Sequence, residues 1–330
     1  MFGAFVNRRG GWRSFRARGY HHPGLRRRTS SALRRAALGA VVVGVLTPVL
    51  RKRLNLPAPV TSVLAWQAPF ALAVALPRTR ARDAGIYALQ MWAYVAHYEM
   101  PNDHPDRLME RLRVDYPIRV DRLIGCGETP TVRLQRALGK PGQVLPHDTF
   151  LSAVHWSWFL VPHGTMAFML VRHHEQFVRS AVLMAATFDL GCVVYWLVPT
   201  APPWWAGSNG HMPHVRRIMV ETGKQVWGRR WEPLYDSLGT NPFAAMPSLH
   251  FATSVMAAHV LGDTGRTAGT LGWAYAGTLG FALVYLGEHY VADLIAGFAL
   301  AEGVRRAVPA AGPAVRTMQR AIQRLEPRRT

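Results

Sequence analysis

The chain has 330 residues, 49% of them hydrophobic and 10% aromatic, yet it carries 39 Lys and Arg against 19 Asp and Glu, a net charge of +20. A mean hydropathy of +0.03 alongside that charge requires apolar and cationic residues to be segregated, and they are: apolar runs of about 15 to 22 residues, long enough to cross or nearly cross a bilayer core, alternate with Arg-rich segments. The chain therefore reads as a polytopic membrane protein. Because the positive charge flanks hydrophobic segments, the positive-inside rule and anionic lipid account for it and no nucleic acid partner is expected. The two cysteines, Cys126 and Cys192, supply neither a disulfide framework nor metal-type spacing.

Residues 1–35 hold a block of arginines and no acidic residue, which predicts a disordered cytoplasmic tail that meets anionic lipid. Candidate spans follow at 36–50, 60–76 and 84–98, within an N-terminal membrane region over 36–100; the first two carry Pro48 and Pro69. Residues 101–148 mix both charge signs with Pro and Gly and predict surface helices and loops in a polar extracytoplasmic segment. Spans resume at 150–171 and 181–198, separated by the charged stretch 172–179. A second extramembrane segment contains Pro202-Pro203-Trp204-Trp205, where proline ends a helix and tryptophan suits the headgroup layer.

The last three spans are expected at 247–261, 268–286 and 289–308, within a catalytic membrane core over 149–308 and before a basic cytoplasmic tail over 309–330. Arg305, Arg306, Arg316, Arg320 and Arg324 place that tail in the cytoplasm, so the loop at 262–267 is cytoplasmic as well. The fold expected is all-α, a transmembrane helix bundle of about eight spans or six plus an N-terminal hairpin. Arg51-Lys52-Arg53 would then lie outside, so the first two runs also read as a re-entrant or interfacial hairpin.

Two motifs near the C-terminal end carry the chemistry. Pro247-Ser248-Leu249-His250 opens one apolar run, and His289-Tyr290-Val291-Ala292-Asp293 opens another one hairpin later. Out and back across the membrane puts His250 and His289 at one face, the extracytoplasmic one. Four residues separate His289 from Asp293, so on a helix the carboxylate lies beside the imidazole and orients it. Ionisable groups at membrane depth are costly, which makes this set a functional site by default.

Cleavage of a phosphorus ester fits the set well. A neutral histidine attacks phosphorus, a second protonates the departing oxygen, and the carboxylate holds the first ring in its reactive tautomer. Ser248 and the amides that follow are suited to phosphate oxygens, and equally Ser248 is an ordinary helix cap. The rivals are a three-ligand metal site, for which no His-Glu-x-x-His or oxygen-rich acidic cluster stands in the sequence, and a proton relay in a non-enzymatic transporter or scaffold. No metal or cofactor is expected. His155, His163, His173, His174, His211, His214 and His259 lack a partnered pattern and read as interfacial or packed.

Over roughly residues 181–306 the chain resembles the type 2 phosphatidic acid phosphatase superfamily, and within it the branch of inositol phosphorylceramide synthase-like phosphotransferases. Pro247-Ser248-Leu249-His250 is similar to that family's Pro-Ser-Gly-His, with Leu at the Gly position as in the branch, and His289 to Asp293 matches its His-x-x-x-Asp. The resemblance implies a six-helix core, His289 as nucleophile, Asp293 as its orienting carboxylate and His250 as the acid for the leaving group. It also implies no metal, a phosphorylated membrane lipid as substrate and a phosphohistidine intermediate, with transfer of an inositol-phosphate-type headgroup as one outcome. Two departures stand out: Leu283 occupies the position of an Arg six residues before the nucleophile, and no Lys-x-x-x-x-x-x-Arg-Pro occurs. Phosphate charge must be met elsewhere, and Lys224, Arg229, Arg230, Arg216 and Arg217 are the candidates. Their absence from the usual places favours the transferase branch or a degenerate enzyme.

Overall fold

The computed structural model describes residues 31–237 and 241–310. The predicted tails fall almost wholly outside them; only 31–35 and 309–310 are seen, as the ends of the first and last helices. Among the described residues the structure is helical, with isolated bridge pairs and no strand, as the hydropathy pattern requires.

Three long helices open the chain: α1 (Ser31–Leu50), α2 (Ala58–Ala75) and α3 (Arg80–Glu99). α1 and α2 form an antiparallel hairpin whose contact is set by Gly44, where a Cβ would lie 2.6 Å from the Leu64 carbonyl and 2.7 Å from Ala68. Both run unbroken through Pro48 and Pro69 and are long and apolar enough, by length and composition, to cross a membrane. Arg51 in the connecting turn is tied to Asp103 at 2.8 Å and Glu99 at 3.4 Å. Arg51 therefore sits beside the C-terminal end of α3, with two carboxylates of that end as its partners.

The segment 101–148 forms short helices, α4 (Pro105–Glu110), α5 (Asp115–Ile124) and α6 (Pro130–Leu138), which cap one end of the bundle. The run expected as one span at 150–171 is two helices of 12 residues, α7 (Pro146–Ser157) and α8 (Val161–Arg172). Pro162, at the second position of α8, has no N–H to continue the α7 ladder, and the chain breaks over 158–160. α9 (His174–Leu197) begins within the charged stretch rather than after it, because His174 and Arg179 find Asp83 and Asp263 as partners at 2.9 and 2.6 Å. It is the third helix able to cross a membrane by length and composition.

α10 (Pro203–Ser208), α11 (Ile218–Trp227) and α12 (Trp231–Ser237) lie in the second polar segment, and α13 (Leu249–Gly262), α14 (Arg266–Tyr285) and α15 (Val291–Ala310) complete the bundle. α13 is the axis: of its 14 residues only Gly262 is exposed, and the rest pack against α9, α14, α15 and α8. Glycines bring α14 onto it, since a Cβ on Gly269 would fall 2.8 Å from Gly262 and one on Gly272 2.7 Å from Ala258. At one end of the axis, Arg113 bridges to Thr200, Asn241 bonds Tyr98, and Asp121 reaches the first residues of α15. That end gathers both motifs.

Candidate active site

Ser248 sets the start of α13. Its hydroxyl is fully buried and accepts from the Phe251 amide at 3.3 Å, so it is used as the helix cap. Its own amide donates to the Asp293 carbonyl at 3.0 Å, which ties the two motifs backbone to backbone. Gly297, one turn beyond Asp293, permits this: a Cβ there would lie 2.6 Å from the Ser248 carbonyl.

The second motif departs from the expected continuous helix. α15 starts at Val291, and His289 lies in the tight connection after α14. The Leu283 carbonyl accepts from the amides of both Glu288 and His289 at 3.1 Å, so the leucine at the family's arginine position serves the turn through its backbone. Gly287 makes the reversal at φ +86, with Arg216 carbonyl 2.6 Å from where a Cβ would be, a combination open only to glycine. The spacing of four still delivers the contact. Asp293 Oδ2 stands 3.3 Å from His289 Nδ1 and accepts from the Tyr290 amide at 2.9 Å.

A second carboxylate completes the start of α15. Asp121, from the polar segment, accepts from the amides of Val291 at 3.1 Å and Ala292 at 2.9 Å, where the positive end of the helix dipole favours an anion. Burial nonetheless pushes its carboxyl up to about 6, against those two amides.

His250 and His289 meet, Nδ1 to Nε2, at 3.2 Å, their rings nearly edge to face. Asp293 beside Nδ1 of His289 favours the tautomer protonated there, which leaves the Nε2 lone pair free. In that tautomer the hydrogen between the two rings is the one on His250 Nδ1. Behind His250 stand Trp158, 4.2 Å away between ring centroids, and His155, 5.0 Å away. His155 is buried, and its Nδ1 has no hydrogen-bond partner among the described residues.

The histidines open on a cavity of about 380 Å³ walled by Trp156, Trp204, Trp231, Tyr98 and Tyr235 among other aromatic side chains. The carboxylate and guanidinium among its described lining residues are Glu288 and Arg217, and they neutralise each other at 3.0 Å. Arg217 also donates to the Tyr235 hydroxyl at 2.7 Å and stacks over Trp204 at 4.0 Å. Burial alone would raise the Glu288 carboxyl; the guanidinium beside it holds it below the usual carboxylate range. The same pairing outweighs burial at Arg217 and raises its pKa.

Of the predicted phosphate cations, Arg217 lines this cavity. Lys224 is exposed and pairs with Glu232 at 3.3 Å, and Arg229 and Arg230 are exposed in the turn before α12; none of the three is among the lining residues. Arg216 turns toward Glu221 and the carbonyls of Lys140 and Gln143. His163 lines the outer cavity and meets the Tyr87 hydroxyl at 3.1 Å, whereas His259 lies at the other end of α13 against Glu302. Sequence reasoning missed His155, Glu288 and Asp121. Glu288 could have been found as the carboxylate next to the candidate nucleophile; His155 sits within an apolar run with no such signal.

Residues 146–317 match the family model described as the PAP2 superfamily. The chain belongs to the PAP2 superfamily. The matched region begins at α7, takes in both motifs and covers the helices that surround α13, while the α1–α2 hairpin lies before it. Among curated proteins, a Phosphoinositol dihydroceramide synthase of Bacteroides thetaiotaomicron is 27% identical over 168 residues, which is 47% of this chain and 53% of that relative. The chain thus spans about half the length of the curated relative it matches. No solved structure matches.

Proposed function

We propose that this PAP2 protein is an integral membrane lipid phosphotransferase or phosphatase that works through a phosphohistidine at His289. The observation that carries the reading is the 3.2 Å approach of His250 Nδ1 to His289 Nε2 with Asp293 behind the latter ring. The lone pair of His289 Nε2 attacks phosphorus and forms the P–N bond as the ester P–O bond breaks. The proton on His250 Nδ1 passes to the departing oxygen, and Asp293 stabilises the positive ring that results. In the return step an acceptor hydroxyl gives its proton to His250, attacks phosphorus and expels His289. Water as acceptor completes hydrolysis; a lipid or polyol hydroxyl completes transfer.

Transfer of a headgroup from a phosphodiester is the favoured outcome. The aromatic cavity wall disfavours free water, and the Arg217–Glu288 pair leaves that wall near neutral, which suits a singly charged diester better than a dianionic monoester. The similarity to a protein named for synthesis of a phosphoinositol lipid agrees with this class. The active end faces the extracytoplasmic side and both termini the cytoplasm, by the Arg305 and Arg306 bias at the opposite end of α15. Residues 149–308 form the catalytic core.

The test is turnover of a headgroup-labelled phospholipid by the full chain in bilayer nanodiscs, beside His289→Ala. Loss of turnover by about three orders of magnitude is expected for removal of a covalent nucleophile. Equal turnover in the variant would reject the assignment.

A further inference from the structure

A second cavity, of about 730 Å³, lies on the other side of Tyr195 from the histidines. Its polar wall is cationic: Arg51, Lys52, Arg107 and Arg111 face it together with Asp103. Arg51 and Lys52 converge on that single carboxylate at 2.8 and 3.1 Å. Arg111 donates to the carbonyls of Trp196 and Leu197 at the end of α9, and Arg107 is exposed with no ion pair among the described residues. The lining thus holds more cations than its carboxylate can balance.

Placement fixes the chemistry of what would balance them. The cavity sits where α1 ends and α2 begins, the shared boundary of two helices long enough to cross a membrane. Its lining therefore spans the level where hydrocarbon gives way to headgroups, and Trp196 in the wall suits that level. Val60 and Leu197, next in sequence to lining Pro59 and Trp196, are exposed apolar side chains on which acyl chains can lie.

We propose that this cavity is a binding site for the phosphate-bearing headgroup of an anionic phospholipid, separate from the substrate cavity and one side chain away from it. The phosphate sits among Arg107, Arg111 and Lys52, and the tails run down the outer faces of α2 and α9. The shared wall gives the site a route to the reacting end. The Tyr195 hydroxyl donates to the Pro247 carbonyl at 2.8 Å and accepts from the Leu249 amide at 3.3 Å, so the ring between the cavities also holds the backbone that carries His250.

The test reads binding and does not depend on the reaction. The full chain is placed in phosphatidylcholine nanodiscs containing a minor fraction of phosphatidylglycerol, extracted into neutral detergent, and weighed with its retained lipid by native mass spectrometry. One phosphatidylglycerol per chain is expected, with phosphatidylcholine absent. Charge reversal in Arg107→Glu, an exposed position with no partner to lose, is expected to weaken retention about tenfold, and Lys52→Glu to do the same. Equal retention of the two lipids, or retention unchanged in both variants, overturns the proposal. Inorganic phosphate that displaces the lipid at equal concentration overturns the lipid assignment in favour of a free-anion site. Catalytic turnover lost or kept in His289→Ala has no bearing on these outcomes, so this site and the proposed function fail separately.

Discussion

α13 carries a histidine near each of its ends, one against a carboxylate of α15 and the other against a second imidazole backed by a carboxylate of α15, and the two ends are built for different purposes. At the far end His259 Nε2 lies 2.6 Å from Glu302, which also pairs with Arg305 at 3.0 Å and Arg306 at 3.4 Å. That cluster is ionic, one carboxylate shared by an imidazole and two guanidiniums. At the near end His250 meets a second imidazole, the carboxylate stands one residue further back, and a third histidine nitrogen is left without a partner beside an open space. A histidine becomes chemically available when its protein partner can accept or give up a proton and a substrate can enter, and the near end satisfies both conditions.

The comparison breaks most visibly on removal of the near-end groups. Asp293→Asn keeps the shape but takes away the charge that fixes His289, and turnover is expected to fall about 10³- to 10⁴-fold. On the proposed mechanism His250→Ala removes proton transfer to the leaving oxygen and is expected to cost about 10²- to 10⁴-fold, less for substrates whose leaving group is already acidic. A Brønsted series of aryl leaving groups checks this: the dependence on leaving-group pKa steepens in the variant if His250 is the acid and is unchanged if it is not.

Asp121→Ala tests whether the start of α15 is held from outside. Two amides lose their acceptor, so unfolding should become easier by about 1 to 2 kcal/mol, as for loss of a helix cap, with turnover reduced because His289 is the neighbour of that start. Differential scanning measurement in one detergent reads the first effect. A variant as stable as the parent would show that Asp293 alone fixes the terminus.

The Arg217–Glu288 pair gives a pH signature. The folded state holds Glu288 below its ordinary value of 4.5, so the pair adds stability that is full above that value and is lost as pH falls through the depressed one. Melting temperature should therefore drop on acidification below about pH 4.5, and Glu288→Gln should lower it at neutral pH while flattening that acid limb. An unchanged limb would assign it to other carboxylates. The smallest effect belongs to the far end: His259→Ala should leave turnover within about twofold, since an ion cluster remote from the chemistry contributes only to stability.

Much of this was legible in the sequence because it depends on period and composition. Apolar runs bounded by arginines announced the helices, and the interval of four between His289 and Asp293 announced their contact, which survived even though His289 lies ahead of the helix. The Pro-Ser-x-His start of α13 was readable as a cap, and the Ser248 hydroxyl is spent on that role. What depends on distant segments was not readable. Asp121 approaches α15 across 170 positions of chain and Arg217 approaches Glu288 across 71, and no local pattern encodes such meetings. The same holds for His155, which is packed against His250 from a different helix. Proximity in sequence to the first motif pointed instead to Lys224, Arg229 and Arg230, which the fold leaves at the surface.

The central claim is a covalent one, and rapid chemical quench of the full chain turning over a phosphorus-labelled lipid tests it most directly. An acid-labile, base-stable label on Nε2 of His289, formed and discharged at the rate of turnover and absent from His289→Ala, is the result this account predicts. Full turnover with no protein-bound phosphorus, or with the label on another residue, would contradict it.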